Sequence, residues 1–238
     1  MLKTIQTVTT FIMLIGIFAS GCVDAQDSSF ENDFDISNRS LLPSGRNDYF
    51  ILDPGFQLTL EGYVGKSKKT YEKLIITVLD ETREVDGTTT RVVEEREWKN
   101  DNLYEVSLNF YAIDPETGDV FYFGEEVDFY KNRKVVNHKG AWLAGIDNAR
   151  AGLIMPGNPE IGMKYYQEVA PGVAMDWAEV ISLDEEIKTP ADTFTDCLKT
   201  KEGTMLNLKV KEYKTYAPGI GIIQDQSLLL ISFGFIDK

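Results

Sequence analysis

Carboxylates are the residues of this chain best placed to do chemistry. Glu125-Glu126, Asp176 with Glu179, and Glu185-Glu186 each bring two acids close together in sequence. Two such groups about 5–9.5 Å apart across a cleft cleave a glycosidic bond, one as acid and one as base or nucleophile. In an extended segment Asp176 and Glu179 fall on opposite faces, because side chains alternate along a strand. Asp114-Pro-Glu-Thr-Gly-Asp119 concentrates oxygens in a short turn. It lacks the spacing of an EF-hand, and Asp, Pro and Gly suit a tight turn without any ion. A zinc or copper site needs several His or Cys ligands at fixed spacing. Here His138 is the single histidine and Cys197 the single cysteine outside the leader. His138 has polar neighbours in Val135-Val-Asn-His-Lys-Gly and reads as a surface residue. A Ser-His-Asp triad would have to use it, and no Gly-x-Ser-x-Gly elbow accompanies it. Cys197 reads as a small buried hydrophobe rather than a reactive thiol. Gly219-Ile-Gly221 opens no helix and so fails as a nucleotide fingerprint. The expectation is therefore no metal, no cofactor and no catalytic residue, with a carboxylate-based hydrolase of an envelope glycan or peptide as the alternative.

The elements that must position these groups are strands. Phe56, Leu58 and Leu60 alternate with Gln57, Thr59 and Glu61, and Leu206, Leu208 and Val210 alternate with Asn207, Lys209 and Lys211. Each is a period-two pattern with one apolar and one polar face. Turn signals separate the runs at Asp86-Gly87, Asp114–Gly118, Lys131–Lys134 and Pro218-Gly219. No long window after the leader holds a helical stripe. Trp98, Trp142, Trp177 and the tyrosines at 63, 104, 111, 122, 165, 166, 213 and 216 are interleaved with apolar strand residues. They are expected mostly in the core, with a minority lining a pocket if the sheet is open.

The strand pattern repeats. Leu79-Asp80-Glu81 matches Leu183-Asp184-Glu185, and Thr89 matches Thr193, at a constant offset of 104. Tyr111-Ala112 matches Tyr216-Ala217 one residue further on, and each Tyr-Ala precedes a turn and a Gly-led strand. The chain thus reads as two five-strand meanders, near 50–126 and 156–233, joined by a hairpin and loop at 127–155. The expected fold is all-β: an antiparallel curled sheet closed as a half-barrel, a barrel or a sandwich, in a single domain over 48–238. Whether its concave face is filled or open is the functional question.

The leader carries one more chemical group, Cys22. Lys3 precedes an apolar run from Ile5 to Phe18, too short to span the ~20 residues that a bilayer requires. That length suits a signal peptide over 1–21. Ala19-Ser-Gly-Cys22 resembles the lipobox of bacterial lipoproteins, which implies lipidation of the Cys22 thiol and cleavage before it. Val23-Asp24-Ala25 offers a rival cleavage site, and an uncut anchor is a third reading. Residues 22–47, rich in Asp, Ser and Asn, read as the lipidated cysteine and a flexible tether.

Asn47-Asp-Tyr-Phe-Ile-Leu-Asp-Pro-Gly55, Phe121-Tyr-Phe-Gly-Glu-Glu126, Ile154–Pro159, Thr193-Phe-Thr-Asp-Cys-Leu-Lys-Thr200 and Tyr216-Ala-Pro-Gly-Ile-Gly221 resemble an uncharacterised group of bacterial exported proteins. That group implies no activity. Strand order and export signal are loosely similar to the lipoprotein carriers of the bacterial envelope, whose half-barrels hold acyl chains. The likeness implies an extracytoplasmic protein held on a membrane through Cys22. Val23 rather than Asp after the cysteine implies the outer membrane or cell surface in a Gram-negative host. An apolar ligand or an envelope protein is the expected partner. Nucleic acid is disfavoured, since 38 acidic against 24 basic residues give a net charge of −14.

Overall fold

The computed structural model describes residues 30–65 and 69–236. Cys22, the leader and residues 23–29 lie outside the described residues. Among those described, the only helical turn is a 3-10 turn at Ile36–Asn38; the rest of the regular structure is strand. The first half of the chain supplies β1 (Phe56–Val64), β2 (Thr70–Val85), β3 (Thr88–Lys99), β4 (Asn102–Ile113) and β5 (Val120–Lys131). Two short outliers follow, β6 (Lys134–Asn137) and β7 (Trp142–Leu143), and then β8 (Arg150–Met155). The second half supplies β9 (Lys164–Tyr166), β10 (Glu168–Val169), β11 (Asp176–Lys188), β12 (Thr193–Thr204), β13 (Asn207–Ala217), β14 (Gly221–Asp225) and β15 (Leu228–Phe235).

Tight turns set the hairpins. Asp86-Gly87, Asn100-Asp101 and Asn132-Arg133 all have positive φ at both central residues. Two-residue loops of that kind match the twist of the strands they join. Val85 accordingly pairs with Thr88, and Lys99 with Asn102.

Strand order is β10-β8-β5-β4-β3-β2-β1-β15-β14-β13-β12-β11-β9, all antiparallel. Its two ends belong to one segment. Lys164–Tyr166 pairs with β11, and Glu168–Val169, one residue on, pairs with β8. Of the three shapes the sequence left open, the structure is closest to the barrel: the sheet is nearly closed, its two ends meeting at the segment interrupted at Gln167. Gly152 makes the seam feasible: a Cβ there would stand 2.3 Å from the Gln167 carbonyl oxygen.

The repeat is visible in the register. Glu84 pairs with Thr89, and Lys188 pairs with Thr193, each 104 residues on. The Leu-Asp-Glu motif lies at a break in register in both copies, between Val78 and Thr82 and between Ser182 and Glu185. Each copy extends one strand beyond the expected five. The last strand of the first, β8, pairs with the first of the second, β10. The last of the second, β15, pairs with the first of the first, β1. Such a head-to-tail exchange leaves neither copy with a free edge.

Residues 30–47, within the stretch that reads as a tether, lie against the sheet. They form a strap on the barrel. Glu31 pairs in parallel with Tyr165 along β9, and Phe30 packs on Tyr166 and Trp177 with ring centroids 5.7 and 5.0 Å away. Phe34 lies against Phe121, and Leu42 bridges to Ile113. The composition is polar because the strap is held mainly by backbone pairing and charge, with a few aromatic anchors.

Arg39 is the chief charged anchor. Its guanidinium donates to Asp114 at 2.8 Å and to Asp119 at 3.0 Å and covers the Phe121 ring. The oxygen-rich turn thus holds a guanidinium from its own chain. Burial opposes ionisation of Asp114, yet the Glu116 backbone N–H and Arg39 hold its carboxyl below the usual range. Arg39→Gln is expected to cost about 2 kcal/mol, since a largely buried carboxylate loses its partner. Urea denaturation checks this, and faster proteolysis within 30–47 reports release of the strap.

Candidate functional site

Residues directly opposed across antiparallel strands share a face. Following the register around the wall therefore shows what the barrel encloses. Leu58, Ile76, Glu95 and Ser107 lie side by side on β1 to β4. Leu60, Leu74, Glu97 and Glu105 form the next row, and Val78, Val93, Asn109 and Glu125 another. In the second half, Ala178, Glu202 and Glu212 are one row, and Val180, Thr200, Lys214 and Asp225 the next. The inner face is apolar toward the end bearing Asp86-Gly87 and acidic toward the end bearing Asn100-Asp101.

Two joined cavities occupy this interior. The lower, about 110 Å³, is lined by Phe56, Leu58, Ile76, Val78 and Ile222, and Tyr49, Phe50 and Ile51 close its end. The upper, about 270 Å³, is lined by Glu105, Glu125, Glu168, Asp176, Glu202 and Glu212 among others. Glu95, Tyr111, Ile154 and Lys214 border both. Together they fall within the ~300–1,000 Å³ typical of small-molecule sites. The question of a filled or open concave face thus has a divided answer: the lower lumen is largely packed with side chains and the upper holds a chamber.

The two halves contribute acids from equivalent strands. Glu72, Glu95, Glu105 and Glu125 stand on β2 to β5, and Asp176, Glu202, Glu212 and Asp225 on β11 to β14. Burial pushes the Glu95 carboxyl up to about 7, Lys214 pulling it down and Asp225 adding to the rise. Burial, with Glu97 and Glu95 nearby, takes Glu105 to about 7. Burial, with Glu95 and Glu105 nearby, takes Glu125 to about 8. Glu168, Glu212 and Asp225 are raised in the same direction, burial being the largest cause in each. Lys214 is the cation at the centre. Its ammonium lies 3.0 Å from Glu202 and opposite Asp225, so it is raised despite burial. Lys99 sits higher, against Glu97 and Glu72.

Neutral polar groups fix the wall. The Tyr122 hydroxyl donates to Asn109 at 2.5 Å, and the Asn109 amide donates to Ser107 at 2.9 Å. Thr200 and Tyr216 both donate to one oxygen of Glu202. Tyr111 and Tyr122, both lining the chamber, stack on each other at 4.7 Å, and Trp142 meets Tyr122 edge-on.

The acid pairs singled out by sequence are divided by the wall. Glu125 lines the chamber, whereas Glu126 is exposed and pairs with Arg83. Asp176 lines the chamber, whereas Glu179 is held between Lys201 and Lys164. Glu185 pairs with Lys199, and Glu186 is exposed. His138 is exposed, 2.8 Å from Asp128. Cys197 is fully buried, and burial pushes its thiol up to about 11, so it is protonated at neutral pH. Sequence reasoning missed the acids that matter together, because they come from strands far apart in the chain. The available signal was Glu95 and Glu97 at period two after Val93, carboxylates continuing an apolar face. Mid-strand ion pairs such as Lys199–Glu185 and Lys201–Glu179 give the outer wall a surface suited to water rather than to acyl chains.

Comparison with family models, with curated proteins and with solved structures finds no match to this chain. The functional reading therefore rests on the barrel itself.

Proposed function

We propose that this chain is an exported, lipid-anchored binding protein that holds a small molecule in its barrel lumen. The observation carrying the proposal is the two-part cavity, closed at its apolar end by Tyr49–Ile51 and walled by polar groups above. A pre-formed concave site of this size is where proteins usually hold small molecules, with polar groups of the wall fixing the ligand's orientation. The apolar part is the smaller of the two, which moves the reading away from an acyl chain and toward a polar ligand with a modest apolar portion. Export and anchoring rest on the leader and on Cys22.

Two experiments test this. Protein purified natively from an envelope fraction, then extracted, is expected to yield a small molecule by mass spectrometry. Val210→Trp, which fills the chamber without removing a charge, is expected to yield none. Equal yields from both proteins would refute the lumen as the site. For the anchor, the intact mass is expected to show a chain beginning at acylated Cys22; an unmodified chain beginning at Gln26 would overturn it.

A further inference from the structure

We infer that the ligand of the chamber is an organic dication of the linear diamine class. The inference rests on reading the lumen as a ligand site and adds the chemistry of what fills it. Charge is the first argument. Among the described residues Glu105, Glu125 and Glu212 of the chamber wall make no ion pair; Lys99 acts on Glu105 and Lys214 on Glu212 only from further off, and Lys214 is engaged by Glu202. A buried carboxylate with no counter-charge gives up its charge rather than bear the desolvation cost, and an incoming cation removes that cost.

Symmetry is the second. Glu125 on β5, opposite Asn109, corresponds in register to Asp225 on β14, opposite Lys214, and Glu105 and Glu212 stand on β4 and β13, so carboxyl groups stand on both halves of the barrel. A molecule with a positive charge at each end serves both poles, and a monocation serves one. The acids are spread along the wall: among the described residues no three His, Cys, Asp or Glu side chains converge as a metal ion would need. That spacing fits an extended cation.

The remaining wall suits methylenes. Tyr111, Tyr122, Ile154 and Val210 line the chamber together with the acids and supply apolar surface for them. Tyr165 lies behind this wall, outside the residues that line either cavity. It is fully buried, its register places it in the row of Ala178 and Glu202, and its hydroxyl has no hydrogen-bond partner.

Calorimetric titration of the mature protein at neutral pH with putrescine tests the inference. n-Butylamine, decanoate and glucose serve as the other probes. Saturable putrescine binding is expected, at least tenfold tighter than n-butylamine. It should weaken at least tenfold in Glu125→Gln with Glu212→Gln, vanish in Val210→Trp, and persist in Glu126→Gln on the outer face. The Gln variants lose buried charge and are expected to remain folded. Putrescine and n-butylamine binding equally would overturn the two-pole argument. Decanoate or glucose binding that Val210→Trp abolishes, without putrescine binding, would overturn the dication and leave the lumen site standing. Putrescine binding unaltered by Val210→Trp would overturn both, and no binding by putrescine would overturn the dication.

Discussion

Raising the pH from about 5 to about 8 is expected to destabilise the ligand-free barrel, the reverse of the usual behaviour of an acidic protein. Glu95 and Glu105 are raised to about 7 and Glu125 to about 8, mainly by burial. In that window the folded chain keeps protons that the unfolded chain has released, so stability falls as pH rises. Each such carboxylate contributes a slope of ~1.4 kcal/mol per pH unit between its unfolded and folded values. Asp114 and Glu179 act in the opposite sense. Both are held below the ordinary range, and their contribution is lost only as pH falls through that lower value. The optimum is therefore expected near pH 5, the window between the two sets. Glu125→Gln should flatten the decline and raise stability at pH 8 by on the order of 2 kcal/mol, allowing for partial contact with water. Thermal melts across this range, with and without the substitution, check the sign. A melting temperature that climbs steadily from pH 5 to 8 would show that these carboxylates face bulk solvent.

Gly152→Val is expected to open the barrel. The glycine lies on β8 where the closing strand crosses, and an added Cβ would stand 2.3 Å from the carbonyl oxygen and 2.4 Å from the carbonyl carbon of Gln167. Both are backbone atoms, so no side-chain rotation relieves the contact. Overpacking of this kind typically costs 1–3 kcal/mol when side chains can move, and here about 3 kcal/mol or more is expected. Gly219→Ala is the comparison. That glycine has φ +72 with nothing within 4 Å of an added Cβ, so only backbone strain of about 1 kcal/mol is involved. Urea denaturation of both variants measures the difference. Equal stabilities would mean that 164–169 does not seal the barrel against β8.

The strand class and the repeat were legible in the residues. Asp86-Gly87 announced its hairpin, and Leu-Asp-Glu with Thr at a fixed offset marked strands that prove to be equivalent in register. The choice among half-barrel, barrel and sandwich was not legible. It depends on β10 meeting β8 and β15 meeting β1, long-range pairings that leave no local pattern. Alternation shows which residues share a face and is silent on what that face meets. Leu206 and Leu208 were read as part of a dry face, yet they are 50% and 70% exposed because β13 rises there to the barrel's rim. Conversely Glu105, Glu212 and Asp225, which no local pattern singles out, stand on the inner face. The strap was hidden for a similar reason: Glu31 and Leu42 are held through backbone pairing, which composition does not encode.

The central claim is that the carboxylates enclosed by the barrel line a chamber shielded from bulk water and poised for a partner. Glu125 reports on it most directly. Carbon-13 NMR titration of its side-chain carboxyl in the ligand-free protein is expected to give a midpoint near 8, far above an ordinary glutamate. A midpoint near the ordinary ~4.3 would place Glu125 in open solvent and contradict the account.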